Sequence, residues 1–523
     1  MEVNDDYLDY LCDESRRSGH ADSISFPEID TDICSQLAEL HSNGTLVTVQ
    51  SGLTGIAGGA VPNGGHILNP SHMNRIRGMR IDGDGVFYLK VQAGCTLQKL
   101  NELLRSKDFD TAGWSAQSLD VLEKYRNSKM VMFPPDLTET TACMGGVAAN
   151  NGSGARTFRY GSARRHISAL TVVLPDGDIL KLYRFPQDGY APVAVGRSFS
   201  LTTESGSVLC GELPHYEMPS VKNAAGFYAA DNMALIDLFI GSEGTLGVIT
   251  EMEIRLTPVP DMVWGITSFF PNEGSALNYV VKVREKVKAA AAIEFFDARA
   301  LDLLRRQQSE NPAFEDLPVL QSGWNTAVYV ELHSDREDSI ENAVQEVSDL
   351  MEECGGDPDA TWFAESAREL EKFKGVRHAV PEAVNMLIGE RKKKIPELTK
   401  LGTDLSVPDS ELCRVMDMYH HDLDSAGLEY VIFGHIGDNH LHVNILPRKL
   451  QDYAAGKRLY LDWAQRVAAM GGSVSAEHGI GKLKTGMLEI MYGIESVDAM
   501  RELKKVFDPA GLINRGTLFE WND

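Results

Sequence analysis

At 523 residues the chain is too long for one compact core, so two or three domains are expected. Its 75 Asp plus Glu against 50 Lys plus Arg give a net charge of -25, which favours solubility and argues against nucleic acid or an anionic membrane as a partner. No run of about 18 apolar residues is present to span a bilayer. The amino terminus is acidic where a targeting peptide should be basic, and the seven cysteines lack any CxxC pair, so a cytoplasmic protein with buried free thiols is expected.

Up to residue 258, short β-rich runs ("TLVTVQ", "GVFYLKVQAG", "ALTVVLPDG", "TLGVITEMEIRL") alternate with glycine-rich connections, the pattern of a mixed α/β domain. "TPVPDM", 257–262, reads as a linker. From 263 to about 420, helical stretches ("NYVVKVREKVKAAAA", 278–292; "EDSIENAVQEVSDLMEEC", 337–354) alternate with strands such as "NTAVYVELH", predicting an α+β domain with helices on one face of a sheet. The remainder is strand-rich around 429–446 and then helical. The expected division is an extension over 1–27, a first domain over 28–258, a second over 263–425, and a C-terminal part over 426–523 that packs back on the first.

Two glycine-rich segments carry the first chemical signal. "VQSGLTGIAGGAVPNGG", 49–65, follows an apolar strand, and a loop of this kind lets backbone N–H groups approach a pyrophosphate. "FPPDLTETTACMGGVAANNGSGARTFRYGSARRHI", 133–167, packs glycine and asparagine beside small residues before another strand. Neither is a GxGxxG turn or a P-loop, and either alone could be a turn-rich loop. In this order, and ahead of "LFIGSEGTLGVITEMEIRL" at 238–256, the segments resemble the flavoproteins of the p-cresol methylhydroxylase and vanillyl-alcohol oxidase superfamily. The carboxyl end, "MRELKKVFDPAGLINRGTLF", resembles its D-2-hydroxy-acid dehydrogenase branch, which includes D-lactate dehydrogenases, glycolate oxidase subunits and D-2-hydroxyglutarate dehydrogenases.

This resemblance spans roughly residues 28–519 and implies an α+β fold: a p-cresol methylhydroxylase-type FAD-binding domain, an α+β substrate (cap) domain with an antiparallel sheet, and a C-terminal helical segment. By carry-over, Gly52, Leu53, Thr54 and Gly55 cradle the pyrophosphate. Pro135, Asp136, Thr141, Gly145, Gly146, Asn150, Asn151 and Gly154 line the flavin, and Val248 and Ile249 offer backbone contacts. The first loop reads "QSGLTG" where the family has Arg-Gly-Gly-Gly-Thr-Gly. His66 sits in no flavin-attachment motif, so non-covalent FAD is expected.

"VIFGHIGDNHLHVN", 431–444, places three histidines in an otherwise apolar run. Its Gly-Asp-Asn cluster reads as a turn between two strands, with His435 ending one and His440, His442 and Asn444 on a single face of the next. A lone core histidine is usually a hydrogen-bonded one. Three within eight residues favour a divalent metal, with a further ligand elsewhere, and "GGSVSAEHGIGKLK" supplies adjacent Glu477 and His478. The resemblance assigns His435, His442 and Glu477 as ligands of zinc or manganese, His478 as general base, and Asn444 to the substrate. His440 stands where the family pattern has asparagine, and its role stays open between an outer donor, an extra ligand and a local peculiarity.

An α-hydroxy acid can chelate such an ion through its hydroxyl and carboxylate. An imidazole suits the proton that must leave, and a guanidinium suits the carboxylate. The resemblance points to Arg377 in "FKGVRHAV" for that contact, though Phe373 replaces the tryptophan expected nearby, and His378 reads as structural. The implied activity is oxidation of a small D-2-hydroxy acid, D-lactate-like or glycolate-like, to the 2-oxo acid. Gly402, where some relatives acting on diacids have lysine, favours a monoacid unless Lys392, Lys393 or Lys394 reaches in. Without a second dinucleotide motif or clustered cysteines, electrons are expected to leave to an electron-transfer flavoprotein, an iron–sulfur subunit or the quinone pool; a homodimer is also open. Two other readings are an alkylglycerone-phosphate synthase-like transferase, against which Glu477 in "SAEH" argues, and a non-catalytic flavin electron-transfer subunit.

Overall fold

The computed structural model of the protein describes residues 1–185, 192–314 and 317–521. Three sheets position the site. The smallest is parallel, with His66–Leu68 between Ser23–Ser25 and Val47–Val49. Its apolar residues Ile24, Val47, Ile67 and Leu68 are buried, and the glycine-rich segment 50–65 leaves directly from its edge. The His66 ring is buried there, held by the Ser23 hydroxyl at 2.8 Å and the Ser25 hydroxyl at 2.7 Å.

The second sheet is antiparallel, in the order Ile76–Ile81, Phe87–Gln92, Val248–Arg255, Ile167–Val173, Ile179–Tyr183. The alternation of buried Val248, Thr250, Met252 and Ile254 with the less buried Glu251, Glu253 and Arg255 makes its central strand one-faced. The short helix Met144–Ala149 packs on that strand and carries the second glycine pair.

The third sheet holds eight antiparallel strands. Its path is Trp362–Ala364, Met262–Phe270, Thr326–Ser334, Ala290–Phe296, Tyr430–His435, His440–Ile445, Leu401–Gly402, with Leu405–Ser406 also pairing to His440–Ile445. Helices cover both of its faces, not one as expected. Phe270 and Phe295 pack with Val280 and Leu350 of helices Glu273–Lys286 and Glu337–Glu353. Their chain neighbours Phe269 and Phe296 turn the other way, toward Leu301, Val380 and Ala383 of helices Ala298–Glu310 and Ala367–Lys392. The reason lies in the strands: Thr326–Ser334 and Ala290–Phe296 are buried along almost their whole length, and burial on both faces needs cover on both. The alanine run expected to end a helix at 292 is also strand. The helix stops at Lys286, and the alanines join Ile293, Phe295 and Phe296 in the sheet, tertiary burial overriding alanine's helix preference.

Three helices, Leu450–Ala469, Thr485–Tyr492 and Ile494–Phe507, follow the last strand. The end of the chain returns to the small sheet, where Asn514 Oδ1 accepts from Val49 N at 2.8 Å and Asn514 Nδ2 donates to Glu243 O at 2.9 Å. Among the described residues no helix is long and apolar enough to cross a membrane.

Candidate active site

The two glycine-rich loops face each other across a cavity of about 430 Å³. Gly52 makes their close approach possible, since a Cβ there would stand 2.9 Å from Thr141 O. The turn that follows holds Leu53 at a φ of 57°, which aims the loop's backbone inward. Among the described residues, no intramolecular hydrogen bond takes up the backbone N–H groups from Ser51 to Ile56, leaving a row of donors on the cavity wall. On the opposite wall, Gly145 and Gly146 differ in what they face. A Cβ on Gly145 would meet Ala93 Cβ at 2.7 Å, whereas one on Gly146 would meet only Ser51 Oγ, at 3.3 Å, and otherwise open cavity. Free N–H donors on one wall and a missing side chain on the other fit a pyrophosphate and a flat aromatic ring respectively.

The same cavity is also lined by His435, His442, Glu477 and His478. The hairpin that delivers the imidazoles forms as its sequence suggests. Tyr430–His435 pairs with His440–Ile445 so that His435 opposes His440, and a short 3-10 turn with Asn439 at a φ of 50° closes it. One potential donor atom from each of His435, His440, His442 and Glu477 lies within 4.8 Å of all the others. His435 Nε2 is 3.4 Å and His440 Nδ1 is 3.5 Å from Glu477 Oε2.

Each ring has an acceptor behind it. His435 Nδ1 donates to Glu294 Oε1 at 2.7 Å, His442 Nδ1 to Thr403 O at 3.4 Å, and His440 Nε2 lies 3.1 Å from Asp404 Oδ1. Asp404 also sits 3.2 Å from His478 Nδ1, and it accepts from the backbone N–H of Glu477 and of His478 at 3.1 Å, from Ser475 Oγ at 2.6 Å and from Lys484 Nζ at 2.9 Å. Burial raises its carboxyl, but His478, Lys484 and His440 outweigh that and hold it well below the usual carboxylate range. Glu477 behaves alike: burial opposes ionisation, while Lys222 and His435 keep it well below its ordinary value. Burial, reinforced by the neighbouring imidazoles, drives His442 well below the histidine range and leaves it neutral, as a ligand must be. Burial also lowers His435, but Glu294 and Glu477 push it up to about 9, so coordination there must displace a proton.

Of the residues expected at the flavin, Gly52, Leu53, Thr54, Gly55, Gly145, Gly146, Asn150 and Ile249 line the cavity; Pro135, Asp136, Thr141, Asn151, Gly154 and Val248 do not. Several of these shape it: Thr141 O backs Gly52, Asn151 is left-handed with a φ of 53° and accepts from Arg164 N, and a Cβ on Gly154 would stand 1.8 Å from Asp136 O. Arg377 is not on the main cavity. It is 3.5 Å from Asp136 in a small neighbouring space with Tyr329 and Phe373, and its charge reaches Glu294, the carboxylate behind His435. Asn444 is buried on the same strand face as His442 and donates to His442 O at 3.3 Å. Lys392, Lys393 and Lys394 do not line the cavity, and Lys393 pairs with Glu390 on the surface.

Three functional neighbours escaped the sequence reading. Glu294 is the single charge in the strand "AAAIEFF", a signal that was there to find. Asp404 carries no role in the sequence analysis, and Lys222, almost fully buried 3.4 Å from Glu477 Oε2, lies in a loop with no motif of its own.

Residues 21–118 and 114–183 match an FAD binding domain, and residues 265–518 match the C-terminal domain of FAD linked oxidases. The chain is 28% identical over 429 residues to a probable mitochondrial D-lactate dehydrogenase of Danio rerio, covering 81% of this chain and 75% of that one. It is 25% identical over 508 residues to a D-2-hydroxyglutarate dehydrogenase of Xanthomonas citri pv. viticola, covering 96% and 90%. A solved 4-ethylphenol oxidase from Gulosibacter chungangensis superposes with a TM-score of 0.64 at 15% identity, covering 100% of this chain and 94% of that one. The fold is therefore of the vanillyl-alcohol oxidase and p-cresol methylhydroxylase type, and fold and domains together define an FAD-dependent oxidoreductase. The chain belongs to the FAD-linked oxidases, among the relatives of the D-2-hydroxy-acid dehydrogenases.

Proposed function

We propose that the protein oxidises a small D-2-hydroxy acid to the 2-oxo acid, using non-covalent FAD and one divalent ion. The observation that carries this reading is the shared cavity: Gly146 opens it to a flavin, and His435, His442, Glu477 and His478 line it as well. Bound there, FAD supplies a two-electron acceptor and the ion a Lewis acid for a chelated hydroxyl.

The chain's own residues do the rest. His478 is the half-exposed imidazole of the cluster, and Asp404 at its Nδ1 leaves Nε2 to take the hydroxyl proton. Lys222 offsets the charge of Glu477, and buried Arg377 is the cation for the substrate carboxylate, its present partner Asp136 being the group exchanged. Gly402, whose Cβ would stand 3.3 Å from Asn444 Oδ1, puts no cation beside that asparagine, which supports a monoacid such as D-lactate or glycolate. The serine pair around His66 occupies both ring nitrogens and supports a flavin held without a covalent link. Electrons then pass to a partner protein or quinone. Anaerobic bleaching of the purified yellow protein by a panel of D and L hydroxy acids tests the reading: D monoacids should bleach it with an added metal and an artificial dye should sustain turnover, whereas rapid direct reduction of NAD, or no bleaching by any hydroxy acid, would overturn it.

A further inference from the structure

His440 is the one imidazole of the cluster with full burial and no aligned partner: neither Nδ1 nor Nε2 makes a hydrogen bond to another described residue. An orphaned buried polar atom is destabilising, and here there are two on one ring. Both face carboxylates, Nε2 at 3.1 Å from Asp404 Oδ1 and Nδ1 at 3.5 Å from Glu477 Oε2. A neutral imidazole has one N–H, so it can satisfy one of these; the lone pair on the other nitrogen is then left against a negative charge.

A cation between that lone pair and Glu477 removes the conflict. His435 shows the same arrangement, with Nδ1 on Glu294 behind it and Nε2 3.4 Å from Glu477, and one potential donor atom of His442 lies within 4.8 Å of those of the other three. The ring centroids of His440 and His442 are 4.4 Å apart, and both lie 5.5 Å from that of His435, so the three imidazoles surround one point rather than two.

We propose that His440 is a fourth protein ligand, making a site of three histidines and one glutamate. The inference rests on the metal-assisted reading above and deepens it. Four protein ligands close a tetrahedral ion completely, as in structural zinc centres, whereas a six-coordinate ion keeps two positions for a bidentate hydroxy acid. The site therefore takes an ion that accepts six ligands, such as Mn²⁺ or Co²⁺, in preference to four-coordinate Zn²⁺.

The test uses the FAD-loaded full chain, stripped with a chelator and reloaded with Mn²⁺ or Co²⁺ alone. X-ray absorption should count three imidazoles on the ion in the wild type and two in His440→Asn, with Mn²⁺ affinity falling beyond the ~10- to 100-fold that loss of an outer partner costs. FAD content and circular dichroism report that the variant is folded; if it is not, the wild-type count decides by itself. Two imidazoles in the wild type would overturn the inference while leaving the metal-assisted reaction standing. No ion retained by the wild type would sink both.

Discussion

Gly145 and Gly146 are neighbours in sequence and serve opposite ends. Gly145 has no Cβ because Ala93 occupies the space, and Gly146 because the cavity does. Gly146→Phe should give a folded protein without FAD, seen as the loss of flavin absorbance in a soluble product with native circular dichroism; stoichiometric flavin in that variant would move the ring elsewhere. Gly145→Phe should fail to fold, since overpacking against the backbone of Ala93, in the turn just past strand Phe87–Gln92, cannot relax. Asp404 gives a second test. Asp404→Asn keeps the shape beside His478 but removes the carboxylate that faces its Nδ1 at 3.2 Å, so kcat should fall about 100-fold or more with KM much less affected. An equal rise in KM would assign the residue to substrate binding. Sequence alone revealed the histidines because they interrupt an apolar strand, but not the carboxylates that aim them. Glu294 lies 141 residues before His435, and the two meet only because Phe295 pairs with Gly434 across the sheet.

At the scale of elements, the hairpin 430–445 was legible because a turn signal and period-two alternation are local properties. The cover on both faces of the large sheet, and the end of the helix at Lys286, were not, because they are decided by what packs against the alanine run rather than by the run itself. The segment "GIGKLK" is tied to the flavin side in the same non-local way, through Glu243, which accepts from Ile480 N at 2.7 Å and from Gly481 N at 2.8 Å. Burial pushes the Glu243 carboxyl up from 4.5 to about 7 despite those two donors. The folded state thus holds this proton more tightly than the unfolded chain does. The resulting contribution to stability is complete below pH 4.5 and lost as pH rises through about 7. Thermal melts of wild type and Glu243→Gln should show the wild type losing ground to the variant across that window, and parallel pH profiles would rule the mechanism out.

Over the whole molecule, the site is assembled from segments hundreds of residues apart, with a glycine-rich wall from residues 51–60 and 145–153 and an imidazole wall from 435–442 and 477–478. These walls are bonded to each other directly. Asn150, on the glycine-rich side, donates its amide to Glu477 O at 2.8 Å, so the segment that carries the Glu477 carboxylate and the glycine-rich loop cannot be ordered independently. Two ligands that stabilise one shared arrangement must help each other, and by the same factor in both directions. Titration of Mn²⁺ into flavin-free and flavin-loaded protein, and of FAD into stripped and metal-loaded protein, should therefore return matching ratios above one, and Asn150→Ala should bring both toward unity. In a cell short of either flavin or metal, such a protein would hold on poorly to the other as well, and its half-filled forms would be scarce.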